Sequence, residues 1–408
     1  MTIPPSLSRE ISPPPRARKR WKPSEPLATA NHVAPPIPAE PTLAAVEAGR
    51  AKLEDHLTYF RKHLATAWRE TPEDQPRISL DDWAKLYVEN QHEHGNHFVV
   101  HQHNHPVSGV HYDLRLQFSA TSSISFALPK GLPGNPNSRS LGRLAVETRV
   151  HNLWNHLIET ASSRTGSLLI WDTGTYSILP RKSANKHPPS PQTTDDEGSD
   201  TEPDNGAPYA NGVTGQHENE RLVKAFQTHY IRLRLHGARL PKNYTVTLRL
   251  PSANSFNKQP RSSRLRRKNG RDYNKAAQQH LSTDSELEEE LHARPQQGEE
   301  EVEEIDTDEE EDAQTRLDNA YPGSTNSIGS VHQRQWFMLL DRTSSGLVQG
   351  QVSGQWVCRE EREGFQPFFV RGRDYERSIV TGRLAKEVES DEGVEGFKGR
   401  SGWMGIMH

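Results

Sequence analysis

Seven histidines fall within twenty residues: His92, His94, His97, His101, His103, His105 and His111. Imidazole is the commonest metal ligand among side chains and changes charge near neutrality, so such density has to be tested by spacing. The run His111-Tyr112-Asp113-Leu114-Arg115-Leu116 passes that test. Side chains alternate along a strand, which puts His111, Asp113 and Arg115 on one face and Tyr112, Leu114 and Leu116 on the other. An imidazole and a carboxylate at i and i+2 can meet one divalent ion, and the guanidinium next along that face can clamp a phosphate or carboxylate through paired N–H donors. His101 and His103 share a face of the preceding strand, and either could supply a third ligand. His151, after a later strand, is a candidate acid or transition-state stabiliser. The plainer alternative is a structural His111–Asp113 pair on a solvated strand face. His92, His94, His97 and His105 are expected to be loop or surface residues. His111, Asp113 and His151 also have the form of the two-His-one-carboxylate triad of Fe(II) oxygenases, although strand-like segments continue long past His151.

These residues need strands to hold them. Short apolar runs separated by Gly, Pro, Asn and Ser occur at Phe98–Val100, Val110–Phe118, Ser125–Leu128 and Leu144–Val146. Leu168–Trp171 and Thr175–Leu179 flank Asp172-Thr173-Gly174, which predicts a tight hairpin there. Tyr230–Leu235, Tyr244–Leu250 and Gln335–Leu340 read as further strands, the first two around a turn near Gly237. The expected fold is mainly β, a compact β-barrel with N-terminal helices and long disordered insertions. The helices are predicted from about Thr42 to Glu70, and again at Trp83–Val88 behind Asp81 and Asp82, whose charges suit a helix N-terminus.

Only 32% of the 408 residues are hydrophobic, so much of the chain cannot be core. Residues 1–41 read as a disordered Pro-rich arm with the basic run Arg16–Arg20. Residues 42–97 form a helical extension and 98–341 the barrel, interrupted by polar insertions at 183–221 and 252–330. The second insertion runs from a basic block, Arg261–Arg271, into an acidic one, Glu286–Asp312. Residues 342–408 are an extension with enough apolar residues to dock on the barrel. The single cysteine, Cys358, excludes a disulfide framework and any multi-cysteine zinc module. No apolar stretch has the length of a membrane helix, so no membrane partner is expected. The basic runs suit nuclear import, with the cytoplasm as the alternative location.

Five segments occur in the order and nearly the spacing of one family: Phe98–His103, His111–Leu116, Ala127-Leu128-Pro129-Lys130-Gly131, Arg143–Val146 leading to His151, and Ile170–Tyr176. Leu235–Leu240 and Gln335-Trp336 fit its closing strands. The chain resembles the 3′-phosphoesterase domain of bacterial DNA ligase D. The resemblance implies a barrel with a polar crater that holds Mn²⁺ (or another divalent metal) and trims damaged or ribonucleotide-bearing 3′ ends for ligation. By position, His103, His111 and Asp113 match the metal ligands, and Arg115 and His151 match the residues that engage the phosphate. Lys130 is a further candidate phosphate contact. The chain departs from the pattern in three places. Asn104-His105-Pro106-Val107 stands where members carry an arginine, Asn155 stands where they commonly carry a tyrosine, and Thr160–Gly166 replaces a Gly- and Tyr-containing loop.

The expected function is therefore metal-dependent healing of DNA or RNA-containing 3′ ends in DNA repair, with nucleic acid 3′ ends and repair proteins as partners. The alternatives are a catalytically weak end-binding or scaffold module that keeps the barrel and, less favoured, an Fe(II)-dependent oxygenase.

Overall fold

The computed structural model describes residues 41–47, 51–181, 216–254, 315, 317–351, 353–359, 364–395 and 397–407. The 1–41 arm (Pro41 apart), the basic and acidic blocks and most of both insertions lie outside these residues. In the described part, each long strand pairs on both sides. Strands β1 (His97–His105), β2 (Gly109–Gln117), β3 (Ser122–Leu128), β4 (Gly142–Glu147), β7 (Gly166–Ile178), β8 (Tyr230–Gly237), β9 (Thr245–Arg249) and β10 (Gln335–Leu340) make one antiparallel sheet. Its order is β1-β2-β3-β4-β10-β9-β8-β7, and β7 pairs back onto β1, closing an eight-stranded barrel without free edges. Short strands β5 (His151–Asn152) and β6 (Thr160–Ser162) pair with β3 and β7, joined by a 3₁₀ turn, Leu153–Leu157.

Alternation sorts the side chains. Val100, Tyr112, Leu114, Leu116, Phe126, Leu169, Trp171, Leu233, Val246 and Trp336 belong to one buried core. Val99, Leu168 and Ile170, on the other face of β1 and β7, join a second core with the N-terminal helices. Helices α2 (His56–Thr66) and α3 (Leu80–Asn90) contribute Phe60, Leu64, Trp83 and Tyr87 to it, and α1 (Leu43–Glu47) contributes Leu43 and Val46. β1 and β7 are thus covered on both faces, which gives their outward polar residues a dry surrounding.

Four expectations are corrected. Residues 42–70 form two helices rather than one, because the Asp55 carboxylate accepts from the Thr58 N–H (3.0 Å) and starts a fresh helix. There is no hairpin at 172–174. β7 runs straight through, with a bulge opposite Val100/His101, and Gly174 is required because a Cβ would lie 1.9 Å from the His236 carbonyl oxygen. The first insertion ends sooner than 221, since α4 (Glu218–Gln227) buries Leu222 and Phe226. The second ends sooner than 330. Residues 319–331 are tied to β4 and β5, with the Val150 N–H donating to the Asn319 carbonyl (2.9 Å) and buried Glu147 accepting from Ser330, Val331, Arg334 and Trp336.

The C-terminal extension docks on the barrel through a hairpin of β11 (Leu347–Gln349) and β12 (Trp356–Cys358), a long irregular stretch, and α5 (Ala385–Asp391). Three buried carboxylates hold it. Glu376 takes the Tyr112 hydroxyl and Gln102, Glu159 takes Thr381 (2.6 Å) and Arg383 (3.1 Å), and Glu389 takes Asn104 and Ser167. No helix among the described residues is long and apolar enough to cross a membrane.

Candidate metal and phosphate site

β1 and β2 pair with His103 opposite His111 and His101 opposite Asp113, so their outward face gathers four of the sequence-predicted groups. Ligand atoms of His103, His111 and Asp113 all lie within 4.8 Å of one another. His103 Nδ1 is 3.6 Å from Asp113 Oδ2 and His111 Nε2 is 3.5 Å from Asp113 Oδ1. These separations are long for hydrogen bonds. They are close to the roughly 3.0–3.5 Å between neighbouring ligands bound at about 2.1 Å to one ion.

The outer nitrogens explain the orientation of both rings. His103 Nε2–H donates to the Thr165 carbonyl (2.8 Å), leaving Nδ1 toward Asp113, and His111 Nδ1–H donates to the Gly109 carbonyl (3.0 Å), leaving Nε2 toward it. A backbone carbonyl behind each imidazole turns its second nitrogen toward the centre, the nitrogen that an ion would engage in the neutral form. Both carbonyls sit in turns that need glycine, at Gly109 (φ 76°) and at Gly166 (φ 76°) after Thr165. The loop that departs from the family pattern therefore supplies a partner to His103.

Burial opposes the charged form of Asp113, but His111, His103 and Arg115 around it hold its carboxyl well below the ordinary carboxylate range. For His103, burial is outweighed by Asp113, the Thr165 carbonyl and Glu47, which hold the imidazole above its ordinary value.

Arg115 flanks the cluster, with Nη2 3.5 Å from Asp113 Oδ2 and Nη1 donating to the Asn155 carbonyl (3.3 Å). Its Nε is buried without a hydrogen-bond partner among the described residues, so the guanidinium keeps donor capacity that an anion could use. His151 belongs to the same neighbourhood. Burial and then Arg115 hold its imidazole well below the ordinary value, hence neutral. The Asn155 amide nitrogen faces His151 Nδ1 (3.4 Å), which makes Nδ1 the acceptor and leaves the proton on Nε2.

Several assignments change. His101 is fully buried and shares the face, but it lies outside the group, and His103 is the histidine of β1 that stands with His111 and Asp113. His151 lies outside it too, so the His111–Asp113–His151 triad is not brought together. Lys130 turns away: its Nζ donates to the Met404 carbonyl (2.9 Å) and lies over the Trp403 ring. His97 and His105 are buried, not loop or surface residues, because β1 extends farther in both directions than its apolar run. His92 and His94 are exposed. Two residues escaped the sequence reading. Glu47 of α1 is drawn toward the cluster, accepting from Thr165 Oγ1 (3.4 Å), and although burial raises its pKa, His103 and Arg115 oppose that rise. Tyr321 packs against His151 with ring centroids 4.7 Å apart. No spacing signal ties either residue to the histidine run, since the first lies 56 residues before His103 and the second 170 after His151.

No curated protein matches the chain in sequence. Residues 101–248 match the family model of the DNA Ligase D 3′-phosphoesterase domain, a span that runs from β1 into β9 and includes His103, His111, Asp113, Arg115 and His151. Over residues 101–248 the barrel is thus similar to the DNA ligase D 3′-phosphoesterase domain family.

Proposed function

We propose that the barrel is a metal-dependent phosphoesterase that heals 3′ ends of DNA, or of DNA ending in ribonucleotides, in repair. The observation that carries this reading is the pair of imidazoles locked by backbone carbonyls with their second nitrogens turned toward Asp113, beside a guanidinium with a spare buried donor. His103, His111 and Asp113 would hold a divalent ion such as Mn²⁺. When bound, that ion would neutralise charge on the phosphoryl oxygens and lower the pKa of a coordinated water. Arg115 would clamp non-bridging oxygens, and its charge would count for more in a dry site than in water. Neutral His151, protonated on Nε2, would donate a hydrogen bond to the phosphoryl group as charge builds there. Asn155 would hold Arg115 in register through its backbone carbonyl, while its amide would only select the His151 tautomer.

Nucleic acid 3′ ends are the proposed partner, and proteins that seal the healed end would act next. Nuclear placement would rest on basic runs outside the described residues. The test is a 5′-labelled primer-template ending in a 3′-phosphate or one 3′-ribonucleotide, incubated with Mn²⁺ or chelator beside Asp113→Ala. Mn²⁺-dependent trimming lost in the variant is expected. Binding without turnover by the intact, metal-loaded protein would make this an end-binding module instead.

A further inference from the structure

Residues 319–325 follow the second insertion, yet they run beside β5. Val150 bridges Ala320 in parallel, the Tyr321 N–H donates to the Val150 carbonyl (3.0 Å), Asn152 Nδ2 donates to the Pro322 carbonyl (2.9 Å), and the Thr325 N–H donates to Ser122 Oγ (2.9 Å). The next turn is anchored by fully buried Glu147, which accepts from Ser330 Oγ (2.7 Å) and from Arg334 Nε (2.8 Å). A segment tied at this many points is a fixed wall, and the side chain it presents to His151 is Tyr321.

The ring planes of Tyr321 and His151 meet at 45°, and the Arg149 guanidinium lies 5.9 Å from the tyrosine centroid. On its other side, the ring contact of His151 among the described residues is with the Asn155 amide at 3.4 Å, too long to fix a ring by itself. An imidazole so loosely held can turn about χ2, a broad torsion, and exchange the positions of its nitrogens and carbons. A tilted aromatic ring whose centroid lies 4.7 Å away removes much of that freedom and adds an attractive contact.

We propose that Tyr321 is a positioning residue for the reaction, holding the His151 ring so that its Nε2–H meets the phosphoryl group, and that residues 319–325 are a working part of the site. This rests on the phosphoesterase reading. The hydroxyl is not needed for the role; the ring is. Residues that meet a substrate only through another group alter the chemical step more than the affinity.

The test compares Tyr321→Leu and Tyr321→Phe in the full chain. With Mn²⁺ and the 3′-phosphate primer-template, Tyr321→Leu is expected to lower kcat by about tenfold or more with KM within about twofold, and Tyr321→Phe to keep both within about twofold. Independently of turnover, protein labelled at histidine Cε1 reports the ring current on His151, its resonance assigned with His151→Gln. That resonance should move in Tyr321→Leu and stay in Tyr321→Phe. Wild-type kcat in Tyr321→Leu, or a lowered kcat with an unmoved His151 resonance, would overturn the proposal. Absence of turnover in metal-loaded wild type would overturn the phosphoesterase reading and the catalytic half of this one, while the resonance still decides whether Tyr321 holds the ring.

Discussion

Two histidine clusters sit on the same outer face of β1, six residues apart, and they differ in what their ring nitrogens touch. At one end, His97 Nε2 meets Thr173 Oγ1 (2.9 Å), His97 Nδ1 meets His156 Nδ1 (2.8 Å), and His156 Nε2 meets Ser123 Oγ (2.9 Å). Thr173 Oγ1 also donates to the Phe98 carbonyl (2.8 Å), so it accepts from His97 and the rest of the chain follows. His97 carries its proton on Nε2, His156 on Nδ1, and Ser123 donates to His156. Every nitrogen has a partner and no lone pair is left over. At the other end, His103 and His111 also spend one nitrogen on a hydrogen bond, but the other faces a carboxylate at 3.5–3.6 Å. Imidazoles paired with hydroxyls and with one another hold a structure together; imidazoles that converge on one carboxylate have the arrangement of a ligand set.

The sharpest way to break this contrast is Asp113→Ala. It removes the group on which both imidazoles converge and should abolish Mn²⁺ binding and lower turnover about a thousandfold or more. Saturating Mn²⁺ should stabilise wild type, by about 2.7 kcal/mol at a hundred times Kd, and leave the variant's unfolding unchanged. Calorimetric scans with and without Mn²⁺ measure both. An equal shift in the variant would mean that the ion binds elsewhere.

His97→Ala should do the reverse. Loss of a buried ring that bridges two polar groups should cost about 2–4 kcal/mol of stability by urea unfolding while preserving the Mn²⁺-induced shift. Its pH dependence is a second reading. Burial pulls the His97 pKa from 6.5 to about 3. Between those values the unfolded chain binds a proton that the folded chain does not, so stability falls as pH falls from 6.5 toward 3. The variant should lose stability less steeply over that window, and an unchanged slope would sink the assignment of a neutral buried His97.

Much of this contrast was legible before any fold was known, and the reasons for the rest are physical. His111, Asp113 and Arg115 share a face because alternation is local, and their neighbours Tyr112 and Leu114 are found in the core as alternation requires. The choice of His103 over His101 was not local, since it depends on a carbonyl at Thr165 brought in by β7. Gly174 looked like a turn residue but serves close packing against β8, and sequence does not separate those two uses. His97 looked like a loop residue because its partners, Thr173 and His156, lie 76 and 59 residues away. Glu47 and Tyr321 were invisible for the same reason. Polar partners distant in sequence carry no periodicity.

Arg115→Lys asks whether the convergent end would handle phosphate through geometry or through charge alone. An ammonium keeps the charge beside Asp113 but lacks the planar fork, so kcat/KM should fall about ten- to a hundredfold, roughly 1.4–2.8 kcal/mol of transition-state stabilisation, with Mn²⁺ affinity kept. Turnover equal to wild type would show that the guanidinium only screens the carboxylate.

The smallest effect is expected at Lys130, the remaining candidate for a phosphate contact. Its ammonium donates to the Met404 carbonyl and lies 5.7 Å from the Trp403 ring centroid, while the Trp403 indole N–H donates to the Pro129 carbonyl (2.7 Å). That is a clasp between the β3 end and the C-terminal extension, and it resembles the satisfied cluster more than the open one. Lys130→Met keeps the apolar stem and removes the charge. Stability should fall by about 0.5–1 kcal/mol, the worth of an exposed cation–π contact. Inhibition of turnover by inorganic phosphate should stay within about twofold of wild type. A tenfold rise in the inhibitory concentration would place Lys130 on the phosphate and extend the convergent cluster to the end of β3.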